Sequence, residues 1–209
     1  MGRDDTTREI DMSHIEIRRA ERCDLPDLRA LQERSIRVLG QGYYTATQIE
    51  TFISRVGTMD EYLVADRTYL VAERDGEIVG CGGWTTRMPS YARTLPDAHL
   101  YANRDRATVR SVFVEPLAAR QGVGRRIMNA VEDRLRRAGL ATVELGATVS
   151  GNAFYRALGY QPLREMRIDF GGGVDFALTV MSKHLAPANA VRKTAPLAAP
   201  VVSSPRHHP

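Results

Sequence analysis

The chain has 209 residues, of which 43% are hydrophobic and 26% charged, and its formal net charge is +4. These values predict one soluble domain with a sizeable core, and the charge suits an anionic cofactor without indicating nucleic acid. No apolar stretch approaches 18 residues, no signal peptide is evident, and Cys23 and Cys81 are too few for a disulfide framework. We therefore expect a cytoplasmic protein with reduced thiols and no membrane partner.

The first part of the chain predicts a short strand followed by two helices. After a leader expected to be disordered, residues 1–13, Ile15 and Ile17 alternate with polar residues as in a strand. Two apolar patterns at helical spacing follow, each preceded by a capping residue and ended by glycine. The capping candidates are Asp24 for the first helix and Thr45 or Thr47 for the second, and the ends are Gly40 and Gly57.

A hairpin and a long loop are predicted next. The segments TYLVAE (68–73) and EIVGCGGW (77–84) are predicted strands, joined by the hairpin signal Asp75-Gly76. Three glycines in the second segment would weaken a strand unless another backbone or a ligand lies close. The loop at 87–106 is long enough to suggest a function, with a disordered surface excursion as the equal alternative.

The most informative stretch begins with an apolar run that ends at Val114. A seven-residue turn leads to Gly122 and Gly124, which open a long amphipathic helix. Glycine lets a ligand approach the backbone, and the N–H groups of a helix N-terminus suit an anion. Three flanking arginines suit phosphate: Arg120, Arg125 and Arg126. We interpret this turn as a pyrophosphate site, and a glycine-containing connector with solvated arginines is the alternative.

With its downstream partner FYRALGY at 154–160, this turn resembles the GNAT superfamily of N-acyltransferases. The pyrophosphate pattern of that family is Gln/Arg-x-x-Gly-x-Gly/Ala, and Gly122 and Gly124 match its small positions. The first position is Ala119, a departure that displaces the arginine to Arg120. FYRALGY resembles the second family signature, an aromatic pair followed by Gly-aromatic. A dinucleotide-binding turn fits poorly, because seven residues separate the strand from the glycines.

The resemblance covers roughly residues 14–185 and implies a fold. The expected class is α/β (α+β), a GNAT-like mixed β-sheet of six to seven strands flanked by about four helices, with the fourth and fifth strands splayed. The predicted order β-α-α-β-β-β-α-β-α-β-β agrees with it, and its last two strands are placed at 166–170 and 176–181. Residues 186–209 hold five of the ten prolines and no acidic residue, so we expect a disordered tail.

The resemblance also implies an N-acetyltransferase that moves an acetyl group from acetyl-CoA to a primary amine in a ternary complex, without a metal. Tyr155 would be the general acid to the CoA thiolate, and the Val114 N–H would polarise the thioester. The expected cofactor-binding residues are Val112, Phe113, Val114, Arg120, Gln121, Gly122, Val123, Gly124, Arg125 and, more weakly, Asn152. The chain would act as a monomer or homodimer. A non-catalytic acyl-CoA-binding module is the alternative function.

The general base and the acceptor site are left open by the sequence. Strict alternation would place Arg110, Val112 and Val114 on one strand face, where the arginine binds an acceptor carboxylate or forms a structural ion pair. A water relay is as well supported as any single base. The side chains considered as bases or acceptor contacts are Tyr43, Trp84, Arg87, His99, Glu115 and Glu144.

Overall fold

The computed structural model describes residues 15–59, 61–87 and 106–186. The predicted leader, nearly all of the 87–106 loop and the tail from 187 onward lie outside these ranges. The proposed domain boundaries therefore stay predictions.

Seven strands form one sheet in the order β1-β2-β3-β4-β5-β7-β6. The strands are β1 (Glu16–Arg19), β2 (Tyr69–Arg74), β3 (Glu77–Thr85), β4 (Arg106–Val114), β5 (Thr142–Thr148), β6 (Gln161–Asp169) and β7 (Asp175–His184). The helices are α1 (Leu25–Leu39), α2 (Ala46–Arg55), α3 (Tyr62–Ala65), α4 (Val123–Arg137) and α5 (Asn152–Ala157). This confirms the predicted fold class and order. The one-turn α3 was not predicted, and the last two strands are longer than expected.

Local signals account for most helix ends. Thr45 accepts a hydrogen bond from the Gln48 N–H and so caps α2. Gly139 adopts φ 76° after α4, and the Leu140 N–H reaches the Leu135 carbonyl, which satisfies the helix C-terminus. Asp24 precedes α1 as predicted but makes no side-chain cap to it. Its carboxylate instead accepts from the Glu21 N–H and the Arg18 guanidinium.

Two glycines of β3 allow α4 to pack closely on one face of the sheet. A Cβ on Gly80 would lie 2.7 Å from Val123 Cγ1, and one on Gly82 would lie 2.9 Å from Ile127 Cγ2. Any larger residue would push α4 away from the sheet, since contacts this short do not occur between real side chains. The close neighbour inferred from the sequence is therefore the helix α4 rather than a ligand.

Strands β4 and β5 separate after a short parallel pairing. Their register covers only Arg106–Thr142 through Val109–Leu145, although β4 continues to Val114 and β5 to Thr148. This is the predicted splay between the fourth and fifth strands. It leaves the backbone of residues 110–114 unpaired on the β5 side.

A β-bulge in β4 overturns the expected alternation of its side chains. Arg110 pairs with Gly83 and Phe113 with Cys81, so Gly82 lies opposite both Ser111 and Val112. Ser111 has φ 51°, a left-handed conformation that is uncommon outside glycine. Because of the extra residue, the alternation of β4 side chains between the two faces of the sheet shifts by one position after the bulge. Val109, Val112 and Val114 therefore pack against one cluster, and the predicted face of Arg110, Val112 and Val114 is wrong.

Two layers of core enclose the sheet. On one face, α4 packs Ile127, Val131 and Leu135 against Leu70, Val143 and other strand residues. On the opposite face, α1 to α3 cover the sheet in two patches. The main members of these patches are Leu28, Leu31, Leu63, Tyr69 and Cys81 in one, and Ile36, Tyr44, Ile49 and Phe176 in the other.

A buried charge cluster ties the middle of α4 to β7. Glu132 is only 3% exposed and accepts hydrogen bonds from Lys183 Nζ at 2.8 and 2.7 Å and from Arg136 at 3.0 Å. Burying such a carboxylate is costly unless its partners remain in place. The cluster therefore fixes the position of α4 on the sheet.

Glu132→Gln should lower the free energy of unfolding by ~2–4 kcal/mol, because it leaves the Lys183 ammonium without its counter-charge. Asp133→Asn is the matched control, since that carboxylate lies one residue away, is 57% exposed and also pairs with Arg136. Its cost should stay below ~1 kcal/mol. Urea denaturation of both variants checks this, and equal costs would contradict the role assigned to Glu132.

Candidate active site

The turn before α4 has a backbone shape that exposes N–H groups. Arg120 and Gly122 both have positive φ, 65° and 81°, and Gly122 is the N-cap of the helix. The first helical hydrogen bond runs from Arg126 N–H to Gly122 O, so the N–H groups of Val123 to Arg125 precede it. Such N–H groups at a helix N-terminus form a site for an anion.

Side chains around this turn divide into structural and free groups. Gln121 donates to the Leu117 carbonyl at 2.9 Å and accepts from Arg74 at 2.7 Å, so its side chain braces the turn. Arg126, expected beside the anion, instead donates to the Ile15 carbonyl. Arg120 and Arg125 are exposed. These two arginines are the cations placed to meet a bound anion.

Gly124 is the point where three predicted segments meet. A Cβ there would lie 3.1 Å from the Phe154 ring and 3.6 Å from Val114 Cγ2. The first turn of α4, the end of β4 and the helix α5 are therefore in direct contact. This geometry brings the FYRALGY segment beside the glycine turn.

Tyr155 follows Phe154 on α5 and is almost fully buried, with 8% of its surface exposed. Its ring packs against Phe154 and meets Tyr160 edge-on at 5.8 Å. Burial raises the pKa of Tyr155 above its ordinary value, so the phenol stays protonated at neutral pH. No residue in the described ranges forms a hydrogen bond with its hydroxyl, which leaves a proton donor available for a ligand.

The N–H groups at the end of β4 point toward the opening between β4 and β5. The Glu115 N–H donates to the Val79 carbonyl of the β3 segment. Backbone directions alternate along a strand, so the N–H of Val114 points away from β3. There it lies 3.4 Å from Ser35 Oγ of α1, a long hydrogen bond. Ser35 is 3% exposed and therefore lies at the inner wall of the opening.

Asn152 begins α5 but faces the sheet. Its Nδ2 donates to Thr179 Oγ1 at 3.1 Å, and its Oδ1 is buried without a hydrogen-bond partner in the described ranges. The contact of Asn152 with CoA stays a prediction, and the structure gives this side chain a role in holding α5 against β7.

The carboxylates considered as bases are engaged in ion pairs. Glu115 pairs with Arg34 of α1 at 2.8 Å, and Glu144 pairs with Arg106 at 2.5 Å. β4 itself contains no carboxylate.

The acceptor-side candidates do not gather at one place. Arg87 pairs with Asp66 at 2.6 Å and lies over the Tyr62 ring, and Trp84 packs against the α4 core. Tyr43 is exposed on the α1–α2 turn, and Arg110 is half-buried in β4. His99 lies outside the described residues.

Sequence reasoning missed a buried polar row between α1 and the sheet. Gln32 and Ser35 lie one turn apart on α1 and are both buried, among leucines that were taken for a purely apolar face. Gln32 donates to the Tyr69 hydroxyl, which donates to the Ser111 carbonyl. Polar residues on the buried stripe of an amphipathic helix were the signal that was available.

Cys81 lies beside this polar row, with its Sγ 3.8 Å from Gln32 Nε2. Cys81 is buried, and burial raises the pKa of its thiol to about 11, so it is not a nucleophile at neutral pH. Across residues 15–59, 61–87 and 106–186, no three His, Cys, Asp or Glu side chains converge as a metal site. None of the helices in these ranges has the length and apolar character needed to cross a membrane.

The chain is similar to proteins of one family. Residues 65–162 match the family model described as "Acetyltransferase (GNAT) domain". No curated protein matches the sequence.

Solved structures resemble the fold over most of the chain. A GCN5-related N-acetyltransferase from Rhodopseudomonas palustris is 22% identical with a TM-score of 0.64, covering 83% of this chain and 98% of its own. The PaiA N-acetyltransferase of Thermoplasma acidophilum, solved with coenzyme A, is 18% identical with a TM-score of 0.59 and coverages of 82% and 99%. The putative acetyltransferase YncA of Salmonella typhimurium, with acetyl-CoA, is 19% identical with a TM-score of 0.54 and coverages of 90% and 100%.

These likenesses establish the fold, and the family match spans the segment that contains the glycine turn, the bulged strand and α5. Just under half of the chain therefore matches the GNAT acetyltransferase domain, and its fold is similar to these structures over most of its length.

Proposed function

We propose that this protein is an acetyl-CoA-dependent N-acetyltransferase that acts on a primary amine. The observation that supports the proposal is the contact of Gly124, Val114 and Phe154, by which the first turn of α4 lies beside the end of β4. Similar structures bound to coenzyme A or acetyl-CoA support that cofactor. Expected cytoplasmic location and monomeric or dimeric assembly remain part of the proposal.

In this proposal the pyrophosphate binds the N–H groups of Gln121 to Arg125, with Arg120 and Arg125 as counter-charges. The pantetheine arm extends along residues 112–114 of β4, and the N–H groups on the β5 side bind it as a strand would bind a neighbour. These contacts hold the thioester in the opening between β4 and β5. Proximity of this kind supplies much of the rate enhancement in group transfer.

Acetyl transfer then needs three groups. A neutral amine attacks the thioester carbon, and its nitrogen forms the new bond while the carbon–sulfur bond breaks. A β4 backbone N–H stabilises the oxygen as it gains charge; the sequence assigned this role to Val114, and its N–H direction supports a donor on this side. Tyr155 gives its proton to the departing thiolate. The proton of the amine leaves to solvent, directly or through ordered water, and solvent returns a proton to Tyr155, which restores the phenol.

The alternative is a module that binds acyl-CoA without catalysis. Binding requires the glycine turn and the β4 backbone but not a proton donor near the sulfur. The free, protonated Tyr155 hydroxyl therefore favours the enzyme. Release of free thiol from acetyl-CoA in the presence of a panel of amines separates the two functions.

Gly124→Glu should weaken acetyl-CoA binding by at least ~2 kcal/mol, because it places negative charge at the proposed phosphate site. Arg125→Glu is a second test that adds no bulk beside Phe154. Asn129→Glu on the exposed side of α4 is the control for added charge and should bind normally. Calorimetry on the folded variants measures these affinities. Unchanged affinities in both Gly124→Glu and Arg125→Glu would exclude the site.

Tyr155→Phe should lower turnover by ~10²–10⁴, the range for loss of a general acid. Acetyl-CoA affinity and melting temperature should change little, since the ring and its packing remain. A purely structural tyrosine predicts the opposite: lower stability with normal turnover per folded molecule. The three quantities are measured on one preparation, with single-turnover rates in case product release limits kcat.

A further inference from the structure

A buried chain of hydrogen bonds connects α1 to the irregular point of β4. Gln32 Nε2 donates to the Tyr69 hydroxyl at 2.7 Å, and this hydroxyl donates to the Ser111 carbonyl at 2.6 Å. Gln32 and Tyr69 are both 0% exposed. The single phenol proton of Tyr69 is donated in the hydrogen bond to the Ser111 carbonyl, so the phenol oxygen must accept from the amide nitrogen of Gln32. Both hydrogen bonds therefore run in the same direction, from Gln32 through Tyr69 to Ser111.

Tyr69 reaches β4 because Gly83 has no side chain. Strand β3 lies between β2 and β4, and a Cβ on Gly83 would lie 2.6 Å from Tyr69 Cδ2. The ring crosses β3 at this glycine, and its hydroxyl approaches Ser111 from the β3 side. Ser111 has φ 51°, which a residue with a side chain keeps only when its surroundings hold it.

The bond to the Ser111 carbonyl also determines the direction of the next N–H. In a trans peptide the C=O and the N–H point in opposite directions. Because the Ser111 carbonyl is held toward β3, the Val112 N–H points away from β3, to the side where β5 has diverged. The Val114 N–H points to the same side, ~7 Å further along the strand.

We infer that Tyr69, held by Gln32, is a positioning residue that directs the Val112 N–H at the thioester carbonyl. This inference rests on the proposed function. The glycine turn follows Val114 in the sequence. The pantetheine arm of acetyl-CoA, extending from the bound pyrophosphate along β4, therefore reaches Val114 before Val112. The Val114 N–H then serves the pantetheine, and the carbonyl donor moves from Val114, chosen from the sequence, to Val112.

The test is the infrared carbonyl band of ¹³C-labelled acetyl-CoA bound to the protein. A hydrogen bond to the carbonyl lowers this frequency, and the reading requires neither turnover nor a known acceptor. Tyr69→Phe keeps the ring and removes the hydroxyl, so the frequency should rise toward that of an unbonded thioester. The preference for acetyl-CoA over CoA should fall by about fivefold, the scale of one hydrogen bond.

Two further variants make the result specific. Gln32→Met, which keeps the side-chain length, should move the band in the same direction by less. Tyr44→Phe is the matched control, since the Tyr44 hydroxyl also bonds backbone groups, at Ala177 and Val149, but away from β4. The carbonyl frequency of acetyl-CoA bound to this variant should equal the frequency in the wild type.

The outcomes separate this inference from the proposed function. A wild-type band that is lowered on binding, but unchanged in Tyr69→Phe and Gln32→Met, overturns the role of Tyr69 and leaves the acetyl-CoA site intact. Equal shifts in Tyr44→Phe and Tyr69→Phe overturn it as well, because the effect is then general loss of packing. A wild-type protein that binds no acetyl-CoA overturns both proposals.

Discussion

The separation of β4 from β5 is the constraint on which the rest of the site depends. Pairing ends at Val109, and two residues later the left-handed Ser111 places an extra residue in β4. A bulge bends its strand and increases the local twist, so β4 turns away from its parallel neighbour. The backbone N–H groups beyond it have no neighbouring strand on the β5 side, and in the proposed function a ligand that lies along β4 would satisfy them.

The second constraint is how closely α4 lies on the sheet. Gly80 and Gly82 let Val123 and Ile127 approach β3, and Glu132 fixes the helix further along through Lys183. The N-terminus of α4 consequently lies at the end of β4, where Gly124 meets Val114. The proposed anion site and the proposed backbone donors of β4 therefore lie on one path, which would suit a ligand with a phosphate at one end and a carbonyl at the other.

Features with a local cause could be predicted from the sequence. The Asp75-Gly76 hairpin, the Thr45 cap and the Gly57 helix end each depend on neighbouring residues only, and the structure confirms them. The glycine turn before α4 was also found, since its glycines have a local signature. These signals gave the order of the elements and, with the family resemblance, the class of fold.

The features that were missed depend on residues distant in sequence. Nothing in the segment VRSVF indicates that Ser111 is left-handed, because its partner Tyr69 lies 42 residues earlier. Glu115 pairs with Arg34 across 81 residues, which no local pattern reveals. The side-chain faces of β4 were therefore wrong beyond the bulge, and the buried role of Gln32 was not foreseen.

The central claim is that one ligand occupies both the β4 opening and the α4 turn. Amide chemical-shift changes on titration of the ¹⁵N-labelled protein with acetyl-CoA test it most directly. If one ligand occupies both places, the largest chemical-shift changes should fall together on the amides of Val112, Val114 and the first turn of α4. The amide shifts of β6 should stay close to those of the ligand-free protein. Changes confined to other parts of the chain, or to the α4 turn without β4, would contradict it.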